Sequence, residues 1–327
     1  MTLSNYERQY LKHLRNIFEN GFEDGMNERT GLCTKRLPGI VIQVDVEKEF
    51  PILKSKFVAA KTAQREIEWI WKQQSNEIKD LKAHIWDAWQ DEHGTIGKAY
   101  GYQMHKPIRV YLDIVNKTNF REYESQAHYV IEYLKENPNG RWAVATLWNT
   151  SELSEMNLLP CCHTSTWNLD GGRLNCVLDQ RSGDIPYGVP FNTTQYAELM
   201  CMIAKALSTP EREIKPGLLT HVIADAHIYA NQMHGVQLQL YYANIMDALL
   251  DDRMDDAYEA ATLAVNLFCK DRTTDELINT AKEALKSEPK FEIYAKNPTD
   301  FFSYDADECN VENYKHMGVI NFGDVAI

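Results

Sequence analysis

Two strand-like runs, residues 164–167 and 174–178, flank Asp170-Gly171-Gly172. Paired glycines behind an Asp suit a tight hairpin turn, so an antiparallel pair is predicted. The pairing constrains its flanks as well. Cys161-Cys162-His163, ahead of the first run, must lie beside Gln180-Arg181-Ser182-Gly183-Asp184, which follows the second. A thiol, a guanidinium, a hydroxyl and a carboxylate therefore meet at one end of a sheet. A long apolar helix is predicted over 191–207 and a further strand over 221–228.

Elsewhere, apolar residues recur at helical spacing over 6–18 and 61–73, and a short helix or turn is expected at 81–91. Residues 27–31 read as a turn, 40–46 and 142–148 as strands, and 120–137 as a helix stopped by Pro138. Residues 239–286 are helical and Ala-rich, with a capping box from Thr273 to Glu276. Residues 300–327 read as irregular with short strand-like pieces. The pattern is α+β. One domain over 1–327, a large mixed β-sheet packed by helices, with a helical insertion at 242–289, is the simplest description.

A chain of 327 residues with 44% hydrophobic content can bury a substantial core. Its net charge of −13 and scattered basic residues argue against a nucleic-acid partner. Seven cysteines without a CxxC pair point to a reducing compartment rather than a disulfide scaffold. The polar start lacks the apolar core of a signal peptide, and no run is long enough to span a bilayer. The expectation is a cytoplasmic protein without a membrane partner.

Cys162 is the candidate nucleophile if Arg181 returns beside it, because nearby positive charge favours a thiolate. Cys161 is the weaker choice, since neighbours in a strand point to opposite faces. A metal is not expected: Cys161, Cys162 and His163 are too close in sequence to share a tetrahedral site. Asn192 begins a helix, where an N-cap is its bland role. Asp225, His227 and Tyr229 share one strand face, an unusual polar triplet.

Taken together and in this order, these motifs resemble the thymidylate synthase family. Arg29-Thr30-Gly31 is similar to its phosphate loop. Glu66 stands where the family has its catalytic glutamate. Residues 84–89 with Gly97 and Tyr100-Gly101 resemble the tryptophan segment beside the folate. Residues 137–149 resemble the stretch that reaches a partner subunit, and Val325-Ala326-Ile327 the apolar tail that closes on substrates. The resemblance spans nearly the whole chain outside 242–289.

The resemblance implies folate-dependent one-carbon transfer to C5 of dUMP. Cys162 would add to C6, Glu66 would relay protons, and Tyr100, Asp184 and Arg181 would complete the catalytic set. Arg29, Arg181 and Ser182, with Arg141 from a second chain of a homodimer, would hold the phosphate. Gln180 and Asn192 would face the base, and His227 and Tyr229 the sugar. Asn192 can accept from N3–H and donate toward O4, which favours uracil over cytosine. Trp86, Trp89, Asp184, Gly188 and Ile327 would contact methylenetetrahydrofolate, the carbon donor.

Methylation to dTMP is the expected outcome. Hydroxymethylation of dUMP, by water adding to the same intermediate, is the alternative, and a non-catalytic nucleotide binder or scaffold stands behind both. Four residues depart from the synthase pattern. Glu68 and Tyr187 resemble the hydroxymethylase branch, Trp142 replaces a clamp arginine, and Phe57 replaces a lysine near the folate tail.

Overall fold

The computed structural model describes residues 1–303 and 305–324. The chain opens with α1 (Asn5–Asn20), capped by Ser4, whose hydroxyl accepts from Glu7 N–H at 3.1 Å. Strands β1 (Phe22–Glu23) and β2 (Thr34–Asp45) follow, then α2 (Ala60–Glu68). The predicted helix over 61–73 thus ends early and continues as a wider π turn, Trp69–Gln73. After α3 (Gly101–Met104) come β3 (Ile108–Asp113) and β4 (Thr118–Tyr123), which pair as a separate hairpin.

That hairpin corrects the helix expected from 120. Helix α4 (Gln126–Glu136) starts only after Ser125, whose hydroxyl accepts from His128 N–H at 3.3 Å. Arg121, Glu122 and Glu124 are adequate helix formers, and cross-strand pairing overrode that preference.

The main sheet runs in the order β1-β2-β9-β7-β6-β5. It is completed by β5 (Val144–Thr146), β6 (Cys162–Asp170), β7 (Arg173–Gln180), β8 (Gly183–Asp184) and β9 (Lys215–Tyr229). The expected hairpin forms: Asp170 pairs with Arg173, and Gly171 and Gly172 take φ of 56° and 91°, the positive values a two-residue turn needs. β7 and β9 run parallel because α5 (Gly188–Leu207) crosses between them. β8 sits beside β9. The sheet is mixed and the fold α+β, as expected.

One sheet face carries buried Ile40, Ile42, Val44, Leu174, Cys176, Leu178, Leu219 and Ile223. Helix α5 packs there and against α2, and is buried on most sides, which explains its apolar length. The opposite face leaves Val41 at 47% and Leu218 at 38% exposure.

Helices α6 (Met233–Leu250), α7 (Met254–Leu267) and α8 (Thr274–Lys286) form a cluster beside this core. The first begins at Met233, inside the region of family resemblance. Its Gln239 joins Tyr10 Oη (3.3 Å) to Ser55 Oγ (3.0 Å). The Thr273–Glu276 capping box is present. Two short strands, β10 (Lys290–Ile293) and β11 (Cys309–Glu312), pair near the end of the chain.

Candidate active site

The open end of the β6–β7 hairpin, the start of α5 and the end of β9 converge on a cleft of about 400 Å³. Cys162, Arg181, Ser182 and Asp184 come from the hairpin and β8, Asn192 and Gly188 from α5, and His227 and Tyr229 from β9. Glu66 enters from α2, Arg29 from the turn before β2, and Trp86, Trp89 and Tyr100 from the segment between α2 and α3. A larger groove of about 860 Å³, bordered by Glu49, Lys54 and Phe291, holds none of the predicted residues.

Two predicted residues lie elsewhere and one is not described. Gln180 sits behind Cys162 rather than on the cleft wall. Arg141 is exposed and does not line the cleft of its own chain. Ile327 lies outside the described residues.

The thiol of Cys162 is 5% exposed and donates to Gln180 Oε1 at 3.5 Å. Gln180 is oriented by two other groups: its Nε2 donates to Ser182 O (2.8 Å), so Oε1 must face His221 Nε2 at 2.7 Å. Burial pushes His221 down to about 3, so it is neutral, with its proton on Nε2. Nδ1 lies 2.9 Å from the Thr193 hydroxyl, which also donates to Val189 O at 2.8 Å. The Cys162 sulfur is thus held by a buried acceptor that prefers S–H over S⁻.

Burial pushes the Cys162 thiol well up, and Cys161 and Glu66 add to it. Here the structure corrects the sequence reading of Arg181. Its Nε donates to Pro160 O (3.0 Å) and its Nη2 to Leu159 O (2.8 Å), and the guanidinium lies 3.9 Å from Cys161 Sγ, not against Cys162. Burial raises Cys161 too, with Arg181 and Arg29 opposing. The expectation that Cys161 turns away also fails. β6 begins at Cys162, so strand alternation does not reach Cys161, and both residues line the cleft.

Glu66 is 5% exposed, and burial raises its pKa. One oxygen accepts from the Trp86 indole N–H, the other from Gln195 Nε2. Gln195 also donates to Ala63 O (3.2 Å), one turn earlier in α2. Sequence reasoning missed Gln195, although it lies three residues after Asn192 and so on the same helix face.

Asp184 is raised by burial, opposed by Gln232, His227, the Tyr187 N–H and Lys56. Its oxygens accept from Tyr187 N (3.2 Å) and Gln232 Nε2 (2.7 Å). His227 and Tyr229 stand edge to face, 4.9 Å between centroids, with Asp225 4.0 Å from His227 Nδ1. The expected one-face triplet therefore forms.

Trp86 packs edge-on against Trp89 (5.4 Å) and Tyr100 (4.9 Å), making an aromatic wall. Tyr100 has φ of 43°, which is rare for a bulky residue, and its hydroxyl accepts from Cys161 N–H at 3.1 Å. A wall of indoles suits a flat heteroaromatic group. Among the described residues, no cluster of His, Cys, Asp or Glu could hold a metal ion.

The sequence pattern of the family described as thymidylate synthase matches residues 8–326. The chain belongs to the thymidylate synthase family. It is 38% identical over 328 residues to the thymidylate synthase of Clostridium beijerinckii, covering 99% of this chain and 100% of that one. The thymidylate synthase of Bacillus licheniformis is 35% identical over 248 residues, 73% of this chain and 84% of its own. Among solved structures, thermostable thymidylate synthase A from Bacillus subtilis superposes with a TM-score of 0.73 at 28% identity, covering 98% of this chain and 99% of that one. The α+β architecture is that of this family, and the chain is an enzyme of the methyltransferase class.

Proposed function

We propose that the protein methylates C5 of dUMP to dTMP with methylenetetrahydrofolate as the carbon donor. The observation that carries this reading is one cleft containing a thiol (Cys162), a buried carboxyl (Glu66), two guanidinium groups (Arg29, Arg181), a carboxamide (Asn192) and an indole wall (Trp86, Trp89).

Cys162 adds to C6 of the uracil and makes C5 nucleophilic, which is covalent catalysis of an otherwise slow step. Asn192 matches the N3–H and O4 edge of uracil. Arg29, Arg181 and Ser182 hold the phosphate, where guanidinium forks fit best. His227 and Tyr229 bind the sugar hydroxyl. Glu66 moves protons through water. Asp184, Gly188, Tyr100 and the two tryptophans frame the folate. When bound, the folate supplies the one-carbon unit and then a hydride.

Two departures that resemble the hydroxymethylase branch have other roles here. Glu68 does not line the cleft: it pairs with Lys72 Nζ at 3.1 Å and accepts from Ala306 N at 2.5 Å. Tyr187 does line it, and its hydroxyl donates to Gly323 O at 3.0 Å. Phe57, in place of a lysine, is 5.1 Å from the His316 ring. Trp142 stacks 6.2 Å from Tyr133.

A homodimer is part of the reading. Exposed Arg141 cannot serve its own cleft, and the uncovered sheet face with Val41 and Leu218 offers a surface for a second copy. All seven cysteines are free, which supports a reducing, cytoplasmic setting. No helix among the described residues is long and apolar enough to cross a membrane.

The test combines three readouts on dUMP tritiated at C5. Tritium release reports attack at C6. The absorbance rise of dihydrofolate reports hydride transfer. Product mass separates dTMP from 5-hydroxymethyl-dUMP. Release without dihydrofolate would overturn methylation, and no release would overturn catalysis.

A further inference from the structure

We infer that Tyr187 latches residues 322–323 beside the cleft and so decides whether the C5 intermediate is reduced or hydrated. The inference rests on the methylation reading above. One phenol oxygen makes two bonds to that segment: it accepts from Phe322 N–H at 3.3 Å and donates to Gly323 C=O at 3.0 Å. The Tyr187 ring meets buried Phe322 edge to face, with centroids 5.2 Å apart.

The ammonium of Lys56 lies 5.7 Å from the Tyr187 centroid and 5.2 Å from that of Phe322, and donates to Pro186 O at 2.6 Å. A buried cation facing both rings adds to the attachment. Asn231 Nδ2 donates to Asp324 O at 2.9 Å, a second tie from outside the cleft. Tyr187 is thus both a wall of the cleft and the anchor of residues 322–323. An aliphatic side chain there would keep the wall and lose both bonds.

The chemical consequence follows from what reaches the exocyclic methylene at C5. When a hydride adds to that carbon, the electron pair shifts toward the ring and the C6–S bond breaks. Cys162 then leaves as thiolate, and dTMP and dihydrofolate form. When water adds instead, it loses a proton, the C6–S bond breaks in the same way, and 5-hydroxymethyl-dUMP leaves with the folate still reduced. A latched segment excludes the water. Tyr187 is therefore a positioning residue, acting through residues 322–323.

The test is the ratio of tritium released to dihydrofolate formed, with product mass, for the full-length wild type and Tyr187→Phe. Loss of two neutral hydrogen bonds predicts a folate KM raised about tenfold. It also predicts a ratio well above one, with hydroxymethyl product. A ratio that stays at one, with dTMP alone, overturns the latch. Nucleotide binding reports folding. Should Tyr187→Phe fail to bind, Asn231→Ala, which removes only the tie to Asp324, is read by the same ratio, and an unchanged ratio there is equally fatal. A wild type that releases tritium yet forms no dihydrofolate would instead refute methylation itself and take the latch with it.

Discussion

Replacing Gln195 by Leu removes a hydrogen bond to the Glu66 carboxylate, together with the longer bond to Ala63 O. In the native site, among the described residues, each carboxylate oxygen has one donor, Trp86 or Gln195, and no cation offsets its burial. Burial favours the neutral acid, and the amide donor favours the ionised form. Removing the donor leaves burial less opposed, so the Glu66 pKa climbs. A hydrogen bond to a charged group contributes about 1.5–3 kcal/mol, which at 1.36 kcal/mol per unit is a rise of about one to two units. If ionised Glu66 is the base, the acid limb of the pH–rate profile moves up by that amount, and the rate recovers at higher pH. The assay is tritium release from 5-tritiated dUMP across pH 5–9, with nucleotide saturating. A profile lowered uniformly, with its acid limb in place, would show that Gln195 contributes packing alone and would refute the reasoning.

Cys162→Ser should abolish tritium release while nucleotide binding survives, whereas Cys161→Ser should retain release; the reverse pattern would exchange the two sulfurs. Glu198 is fully buried, has no hydrogen-bond partner on either oxygen among the described residues and is pushed well above the carboxylate range by that burial. A pKa raised in the folded state means its contribution to stability is fully present below the unfolded carboxylate range and is lost as pH rises toward the folded value. Glu198→Leu should flatten this fall and add about 1–3 kcal/mol near neutrality in urea unfolding, and a steeper fall would contradict it. Mixing Arg141→Ala with Cys162→Ser chains should restore about a quarter of the sites, since half of random pairs are mixed and each holds one complete cleft; no recovery would mean that Arg141 does not cross to a partner.

Legibility followed the range of the forces involved. The β6–β7 hairpin was readable because Asp170, Gly171 and Gly172 specify a turn by local geometry, and that turn alone places Cys162 beside Gln180. The β3–β4 hairpin was not, because Ile108–Asp113 and Thr118–Tyr123 are held by each other across a loop, against adequate helix propensity. Residue types at the site could be listed from sequence, but the direction of a long side chain could not. Arg181 turns back to the Leu159 and Pro160 carbonyls, a choice made by three-dimensional neighbours. The partners of Glu68 were hidden for the same reason: Lys72 and Ala306 do not line the cleft, and Ala306 is 238 residues away along the chain.

The buried acceptor behind Cys162 also bears on how the resting enzyme ages. Oxidants and alkylating agents consume thiolates, and a sulfur kept as S–H beside Gln180 offers them little to attack. On the proposed mechanism, reactivity that waits for the nucleotide would spare the enzyme between turnovers, leaving the sulfur that adds to the base among the groups least exposed to chemical wear.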